Sequence, residues 1–365
     1  MNLVCPLCRG LYDGTFRFWR LKKRPGLLRC SNPVCEGRFV TAPYPIVMPN
    51  PARALERMLD VPEGVSIPAL GMMLRHLSES SALFGALCDR STAVWGQYHD
   101  FLPETFRPEG IHPAPFGVRA LGMLDALTIK PGARALVAGC GPGREALELA
   151  ARLHRANSHQ RDPLGRPGVD TTANMAFPEV IALDHDTALL QTFHQLIERR
   201  KIEILLRASI DRWHTPEVIE LPRSLRPAID IVHPVCADIL DPPFEANSFD
   251  LTVALNLLDR VAEPLRLLGQ LQAMTRPGGH ILLSSPFAWE SGLTPRDKRL
   301  SSVVPHARLA DNVILQEILT GQIKTGFDFK LHPVAIMDPI QWALRTHDTH
   351  AVLMRSHVSL WKKPD

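Results

Sequence analysis

The chain has 365 residues, 45% of them hydrophobic and 22% charged, with a formal net charge of +3. That composition supports a real core and excludes a disordered or fibrous protein, and the charge is too small to argue a nucleic-acid partner from bulk electrostatics. No apolar run reaches the ~18 residues of a membrane span, and the opening MNLVCPLCRG lacks an apolar signal-peptide core, so a cytoplasmic enzyme is expected.

Four of the seven cysteines fall in the first 35 residues. Cys5-x2-Cys8 and Cys30-x4-Cys35 form two knuckles. A tight CxxC turn aims two thiolates at one ion, and a second knuckle closes the tetrahedron that a structural Zn2+ prefers. All four positions are cysteine, which leaves no place for a reacting water. The odd total and the clustering fit a reducing compartment. Residues 16–29, FRFWRLKKRPGLLR, read as a hairpin between the knuckles. The segment is basic, with Arg9, Arg17, Arg20, Lys22, Lys23, Arg24, Arg29 and Arg38 against Asp13 and Glu36. Such a face is either simply solvated or meets an acidic protein or RNA. The pattern "CPLC … LRCSNPVCEGRFV … YPIV" resembles a Trm112-like zinc ribbon over residues 1–50, a module that typically precedes or partners a methyltransferase domain. A separate core is expected for it.

A Pro-rich stretch, 43–51, leads out of this module. Over 52–127 the apolar residues of ARALERMLD and IPALGMMLRHLSESSALFGALCDRSTAVWGQYHDFL recur three and four apart, which predicts helices, so residues 51–114 read as a helical linker on the substrate side. RALGMLDALT predicts one more helix. From residue 134 onward strands and helices alternate: ARALVAG, REALELAARLH, EVIALD, ALLQTFHQLIERR, VHPVCAD, FDLTVALN, EPLRLLGQLQAM and GHILLSS. Strands separated by helices of this length predict an α/β domain, 115–365, with a parallel doubly wound sheet. Residues 155–179 are polar and read as an inserted loop. The stretch 331–361 reads as strands and one helix.

The first strand of the alternating series runs into Gly139-Cys140-Gly141-Pro142-Gly143 and then a helix. Glycines there allow a tight turn and let a ligand touch backbone, while the helix N-terminus faces it. Asp184 ends the next strand, where a carboxylate can take two ribose hydroxyls. Asp238 follows the third, where a carboxylate can hold an adenine amine. Together with SFDLTVALN and RPGGHILLSS, this series resembles the class I S-adenosylmethionine (SAM) methyltransferases over residues 115–290. The resemblance implies a seven-stranded Rossmann-like sheet with its last strand antiparallel. It implies SAM at the C-terminal edge, on Gly139, Gly141, Gly143, Asp184 and Asp238. The position two before Gly139, usually acidic, is Val137. An NAD-binding Rossmann domain is the competing reading of the glycine loop.

NSFDLTVALNLLDRVAEPLRLL resembles two related groups: the methyltransferase half of ovothiol synthases, and the protein-histidine N-methyltransferases. VWGQYHDF, SSPFAWESGLTPRDKRL and IQWALRTHDTHAVLMRSHVSLW agree with the first group. The implied acceptor is an imidazole, in a small molecule or a peptide. Asn256 ends the fourth strand, and Asp259 follows about one helical turn later, so both polar groups can face one site. A carboxylate on one ring N–H would fix the tautomer while the other nitrogen attacks, and an amide can orient the same ring. Asp259 could equally cap the following helix and pair with Arg260. Tyr98, His99, His185, Arg355 and His357 are further candidates to line the site. An RNA methyltransferase, with the basic module holding the nucleic acid, is the alternative. Its usual Asn/Asp-Pro-Pro-aromatic signature follows the fourth strand, whereas DPPF at 241–244 precedes it. A non-catalytic scaffold is the third reading.

Overall fold

The computed structural model describes residues 3–9, 27–35, 38–40, 45, 47, 82–130, 132–161, 177–304 and 309–365. The helices expected over 52–81, most of the 155–179 insertion and residues 16–26 of the expected hairpin lie outside these residues. The hairpin's described end, β1 (Leu27–Arg29), pairs antiparallel with β2 (Arg38–Val40) across the second cysteine knuckle.

Helix α1 (Ala82–Tyr98) and the short α2 (Phe116–Ala120) precede β3 (Arg134–Ala138). The α/β series continues with α3 (Arg144–Arg161), β4 (Glu179–Asp184) and α4 (Thr187–Arg199). A small antiparallel pair follows, β5 (Lys201–Ile204) and β6 (Glu217–Glu220). Then come β7 (Val232–Cys236), β8 (Phe249–Leu255), α5 (Pro264–Met274), β9 (Thr275–Ser285) and α6 (Asp311–Leu319). The chain closes with β10 (His332–His347) and β11 (His350–Lys362).

Seven strands form one sheet in the order β10-β11-β9-β8-β3-β4-β7. The strands from β9 to β7 are parallel, and β11 runs antiparallel to both of its neighbours. The expected parallel sheet with an antiparallel closing strand is therefore present. The helix expected within 331–361 is not: that stretch is the β10–β11 hairpin. Each of residues 340–344 is paired across to β11, so the ladder decides for a strand where apolar spacing alone left helix and strand open.

Strands β3 and β4 are apolar along their length because both of their faces are covered. Ala135, Val137, Val180 and Ala182 join one core, while Leu136, Ala138, Ile181 and Leu183 join the other. The local signals at α4 are explicit. Asp186 caps its start by accepting from the backbone N–H groups of Ala188 (2.8 Å) and Leu189 (3.1 Å), and Arg200 ends it in the left-handed region at φ +61°.

The expectation of a separate core for the cysteine module is corrected here. Leu3, Cys5, Cys30, Phe39 and Val47 are buried in the same cluster as Leu183, Phe244 and Phe249. So few apolar residues cannot bury themselves alone, and they are covered by the edge of the large sheet.

Candidate functional site

The turn after β3 is built on three glycines in the left-handed region, Gly139 (φ +67°), Gly141 (φ +53°) and Gly143 (φ +90°). A side chain at Gly143 would run into the Phe193 ring of α4, the nearest atom lying 2.1 Å from an added Cβ. That glycine is required by helix packing as well as by backbone conformation. The backbone N–H groups of Gly139 and Cys140 donate to Leu183 O at 2.8 and 3.0 Å, which ties the loop to the end of β4.

Asp184 stands there, 7% exposed. Its Oδ2 accepts from Gly141 N (2.8 Å) and its Oδ1 from Asp186 N (2.9 Å). Burial pushes its carboxyl up, and the neighbouring His185 pulls it back down. Each carboxylate oxygen keeps one further lone pair. At the end of β7, Ala237 N donates to Asp184 O (3.0 Å), so Asp238 lies beside Asp184 across two strand ends. Asp238 is half-buried, with Oδ1 accepting from Leu240 N at 2.8 Å. The five residues predicted from the glycine loop and the two strand ends are thus brought to one edge of the sheet. Two carboxylates with lone pairs to spare are an acceptor set suited to a ligand bearing hydroxyls and an amine.

The end of α1 grips this loop from the other side. Gln97 Nε2 donates to Cys140 O (3.1 Å), and Gln97 Oε1 accepts from Arg144 N (2.9 Å). Tyr98 donates its hydroxyl to Pro142 O at 2.9 Å. Arg144 makes a two-pronged pair with Asp100, both contacts at 2.9 Å, and lies 4.0 Å over the Phe101 ring. Of these groups only Tyr98 stood out in the sequence. The others act across 43 to 47 positions, and no local pattern announces them. Behind the loop, Glu145 is buried with one carboxyl oxygen lacking a hydrogen-bond partner. Burial pushes it up to about 7, against the pull of Arg144 and Gln97. Val137, in the usually acidic position, is packed in the core.

Asn256 follows β8 in the left-handed region at φ +50°. Its backbone N–H meets Ser284 O (3.0 Å) and Ser284 Oγ (2.9 Å). Its Oδ1 accepts from Ser284 Oγ (3.0 Å) and from Ser356 Oγ (2.7 Å), and Ser356 Oγ in turn accepts from Trp342 Nε1 (2.8 Å). Each serine already receives a hydrogen bond from an N–H, so its own hydrogen is available for the amide. This network fixes which end of the amide is oxygen, and Asn256 presents Nδ2, a donor.

Asp259 is not brought to the same place. It is 2% exposed; Oδ1 accepts from Ser285 Oγ (2.8 Å) and Oδ2 from Ala288 N (3.1 Å). Burial pushes its carboxyl up, opposed by these bonds and by Arg260. Arg260 pairs with Glu290 rather than with Asp259. Ser284 and Ser285 point to opposite faces of β9, so Asn256 and Asp259 end on opposite faces. The expectation that both meet the acceptor is corrected to this extent: the Asp259 carboxylate is held inside the protein.

The remaining candidates separate. His99 stacks on Trp95 with centroids 4.7 Å apart, and its Nε2 lies 3.2 Å from His112 O. His185 is exposed and Arg355 is exposed on β11. His357 is buried opposite Ser285, where burial lowers its pKa and keeps it neutral.

The four cysteines Cys5, Cys8, Cys30 and Cys35 converge, with all sulfurs within 4.8 Å of one another. Cys5 Sγ lies 3.7 Å from Cys35 Sγ, and Cys8 Sγ 3.4 Å from Cys30 Sγ. Tetrahedral Zn2+ with Zn–S bonds of about 2.3 Å sets sulfurs roughly 3.8 Å apart, so this donor set fits that ion.

A family model described as "Methyltransferase domain" matches residues 118–311. The chain is 27% identical over 169 residues to an uncharacterized 37.1 kDa protein in a transposon of Streptomyces fradiae, covering 46% of this chain and 34% of that protein. It is 25% identical over 115 residues to an uncharacterized methyltransferase of Mycobacterium leprae, covering 32% of this chain and 42% of that one. The matches thus span less than half the length of these curated relatives. Among solved structures it is similar to the YcgJ protein of Bacillus subtilis, at a TM-score of 0.39 and 11% identity over 68% of this chain and 99% of that one. It is also similar to a SAM-dependent methyltransferase of Methanosarcina mazei, at a TM-score of 0.36 and 15% identity over 65% and 95% of the two chains.

Proposed function

Because the chain belongs to the family of methyltransferase domains, we propose that this SAM-dependent methyltransferase acts on nitrogen, with a histidine-type imidazole as acceptor, in a small molecule or a peptide. SAM supplies an electrophilic methyl group when bound. Gly139, Gly141 and Gly143 would follow its methionine end, Asp184 would take its ribose hydroxyls, and Asp238 its adenine amine. Cys5, Cys8, Cys30 and Cys35 would hold a structural Zn2+.

One observation carries the acceptor reading. At the end of β8, Asn256 has its amide oxygen doubly occupied and can only donate, while both oxygens of Asp259 are occupied within the protein. Asn256 would therefore orient an acceptor by donating to it, and Asp259, turned into the protein, would not take its proton. That suits a nucleophile already carrying a lone pair at neutral pH, as a neutral imidazole does. Asp259 is a positioning residue here: it fastens residues 285–288 to the turn after β8.

Mass spectrometry of histidine, mercaptohistidine and histidine-containing peptides after incubation with isotope-labelled SAM tests this. A labelled methyl on a ring nitrogen is expected, at a rate that falls below the acceptor's ring pKa, near ~6.5 for an ordinary histidine. A methyl group found instead on RNA or on a carboxylate would overturn the acceptor reading.

A further inference from the structure

The described residues of the cysteine module meet the large domain at residues 236–244. Val47 N donates to Cys236 O and Cys236 N to Pro45 O, both at 2.8 Å, which covers the edge strand β7. Leu3 forms an antiparallel bridge with Phe244, and Val4 N donates to Pro243 O at 2.9 Å. Arg9 closes the first knuckle in the left-handed region, φ +61°, with its N–H on Cys5 O at 2.8 Å. Its Nη1 reaches Asp241 Oδ1 (3.1 Å) and Pro242 O (3.0 Å).

Sequence explains why these straps fall here. Pro242 and Pro243 have no backbone N–H, so this stretch offers carbonyls and needs donors from elsewhere. Val4 and Arg9 supply them. The same segment carries Asp238, whose turn is closed by Leu240 N on Oδ1 (2.8 Å) and Asp241 N on Asp238 O (3.1 Å). The straps thus bracket a carboxylate of the candidate cofactor site, and a shared core lies beneath them.

We propose that the metal-loaded cysteine module is a clamp on the Asp238 turn, with Arg9 as a positioning residue, so that metal occupancy sets affinity for the cofactor. The inference rests on the reading of Asp238 as a SAM contact. The metal gathers Cys5 and Cys8 and so fixes the knuckle from which Arg9 projects. Without it the donors to residues 241–243 lose their anchor, and the Asp238 turn gains freedom that binding must remove.

The test uses full-length protein and isothermal calorimetry with SAM, before and after removal of zinc by a chelator and after zinc is restored. Amide exchange over residues 238–244 is followed in parallel. Zinc removal should weaken SAM binding by roughly tenfold and speed exchange in that segment, and zinc alone should restore both. Arg9→Ala, which keeps all four thiols, should retain zinc and weaken SAM binding by about threefold; Arg9→Lys should recover most of that. If the zinc-free protein unfolds, Arg9→Ala carries the decision. Protein that binds no zinc, or SAM affinity and exchange over 238–244 unchanged in Arg9→Ala, overturns the clamp. Failure of the untreated wild-type protein to bind SAM would instead refute the cofactor reading itself.

Discussion

Gly143→Ala is the sharpest test of how the glycine loop is built. The backbone sits at φ +90°, and an added Cβ would lie 2.1–2.3 Å from three atoms of the Phe193 ring. Left-handed backbone costs a residue with a side chain about 1–2 kcal/mol. Overpacking a dense core adds about 1–3 kcal/mol. The sum, about 2–5 kcal/mol, should lower the midpoint of thermal unfolding by roughly 3–6 °C in a protein of this size. The two contributions separate in a double-mutant cycle. Phe193→Leu trims the ring but leaves the backbone strain, so the double variant should be more stable than the sum of the singles by about 1 kcal/mol or more. Circular dichroism melts of the four proteins measure this. A Gly143→Ala midpoint within about 2 °C of wild type would refute the packing argument, and strict additivity would leave only the backbone cost.

Three other substitutions probe the carboxylates. Burial holds Glu145 at about 7 against an ordinary 4.5; its contribution is therefore fully favourable below pH 4.5, fades as pH rises to 7 and leaves a cost of about 3 kcal/mol above that. Glu145→Gln should thus gain stability over wild type between pH 5 and pH 8 in urea titrations, and an equal difference at both pH values would refute the assignment. Asp184→Ala strands the N–H groups of Gly141 and Asp186 at about 1–3 kcal/mol each and should weaken SAM binding at least tenfold by calorimetry; unchanged affinity would move the ribose contact to Asp186. Asp259→Asn should cost about 1–2 kcal/mol of stability with SAM affinity intact, whereas unaltered stability with a rate loss of ~10²–10³ would return that carboxylate to the acceptor.

Much of the sheet was legible because its signals are local. The alternation of strand and helix patterns marked β3, β4, β7 and β8 and the helices between them. The β10–β11 hairpin was not fully legible. IQWALRTH spaces its apolar residues as a helix can, and only pairing with β11 decides for a strand. Nor was the burial of Leu3, Phe39 and Val47 against Phe244, since the contacts join segments some two hundred residues apart. The carboxylates at the ends of β4 and β7 were found because strand ends are readable. Gln97 and Arg144 were not, because their meaning depends on how α1 folds back over the loop.

Asn256 and Asp259 show why spacing alone misleads at the site, and Ser356 offers the means to test it. One-turn spacing holds on a continuous helix. Here Asn256 is left-handed, and the turn after it is a single 3-10 turn, Leu258–Arg260. The two side chains are sorted by consecutive serines of β9, Ser284 on one face and Ser285 on the other. The polarity that Asn256 would show to an acceptor on the proposed reading is therefore imposed by β9 and β11. Ser356→Ala removes one of the two hydroxyls on Oδ1 and leaves Trp342 Nε1 without its partner. The amide can then present oxygen as well as nitrogen, at a cost of about 1 kcal/mol in ordering. In steady-state kinetics with the acceptor identified by mass spectrometry, KM for the acceptor should rise about fivefold, kcat should fall less, and SAM affinity should hold. Ser356→Thr, which keeps the hydroxyl, should recover the wild-type KM. A Ser356→Ala enzyme with unchanged KM would mean that Asn256 does not face the acceptor.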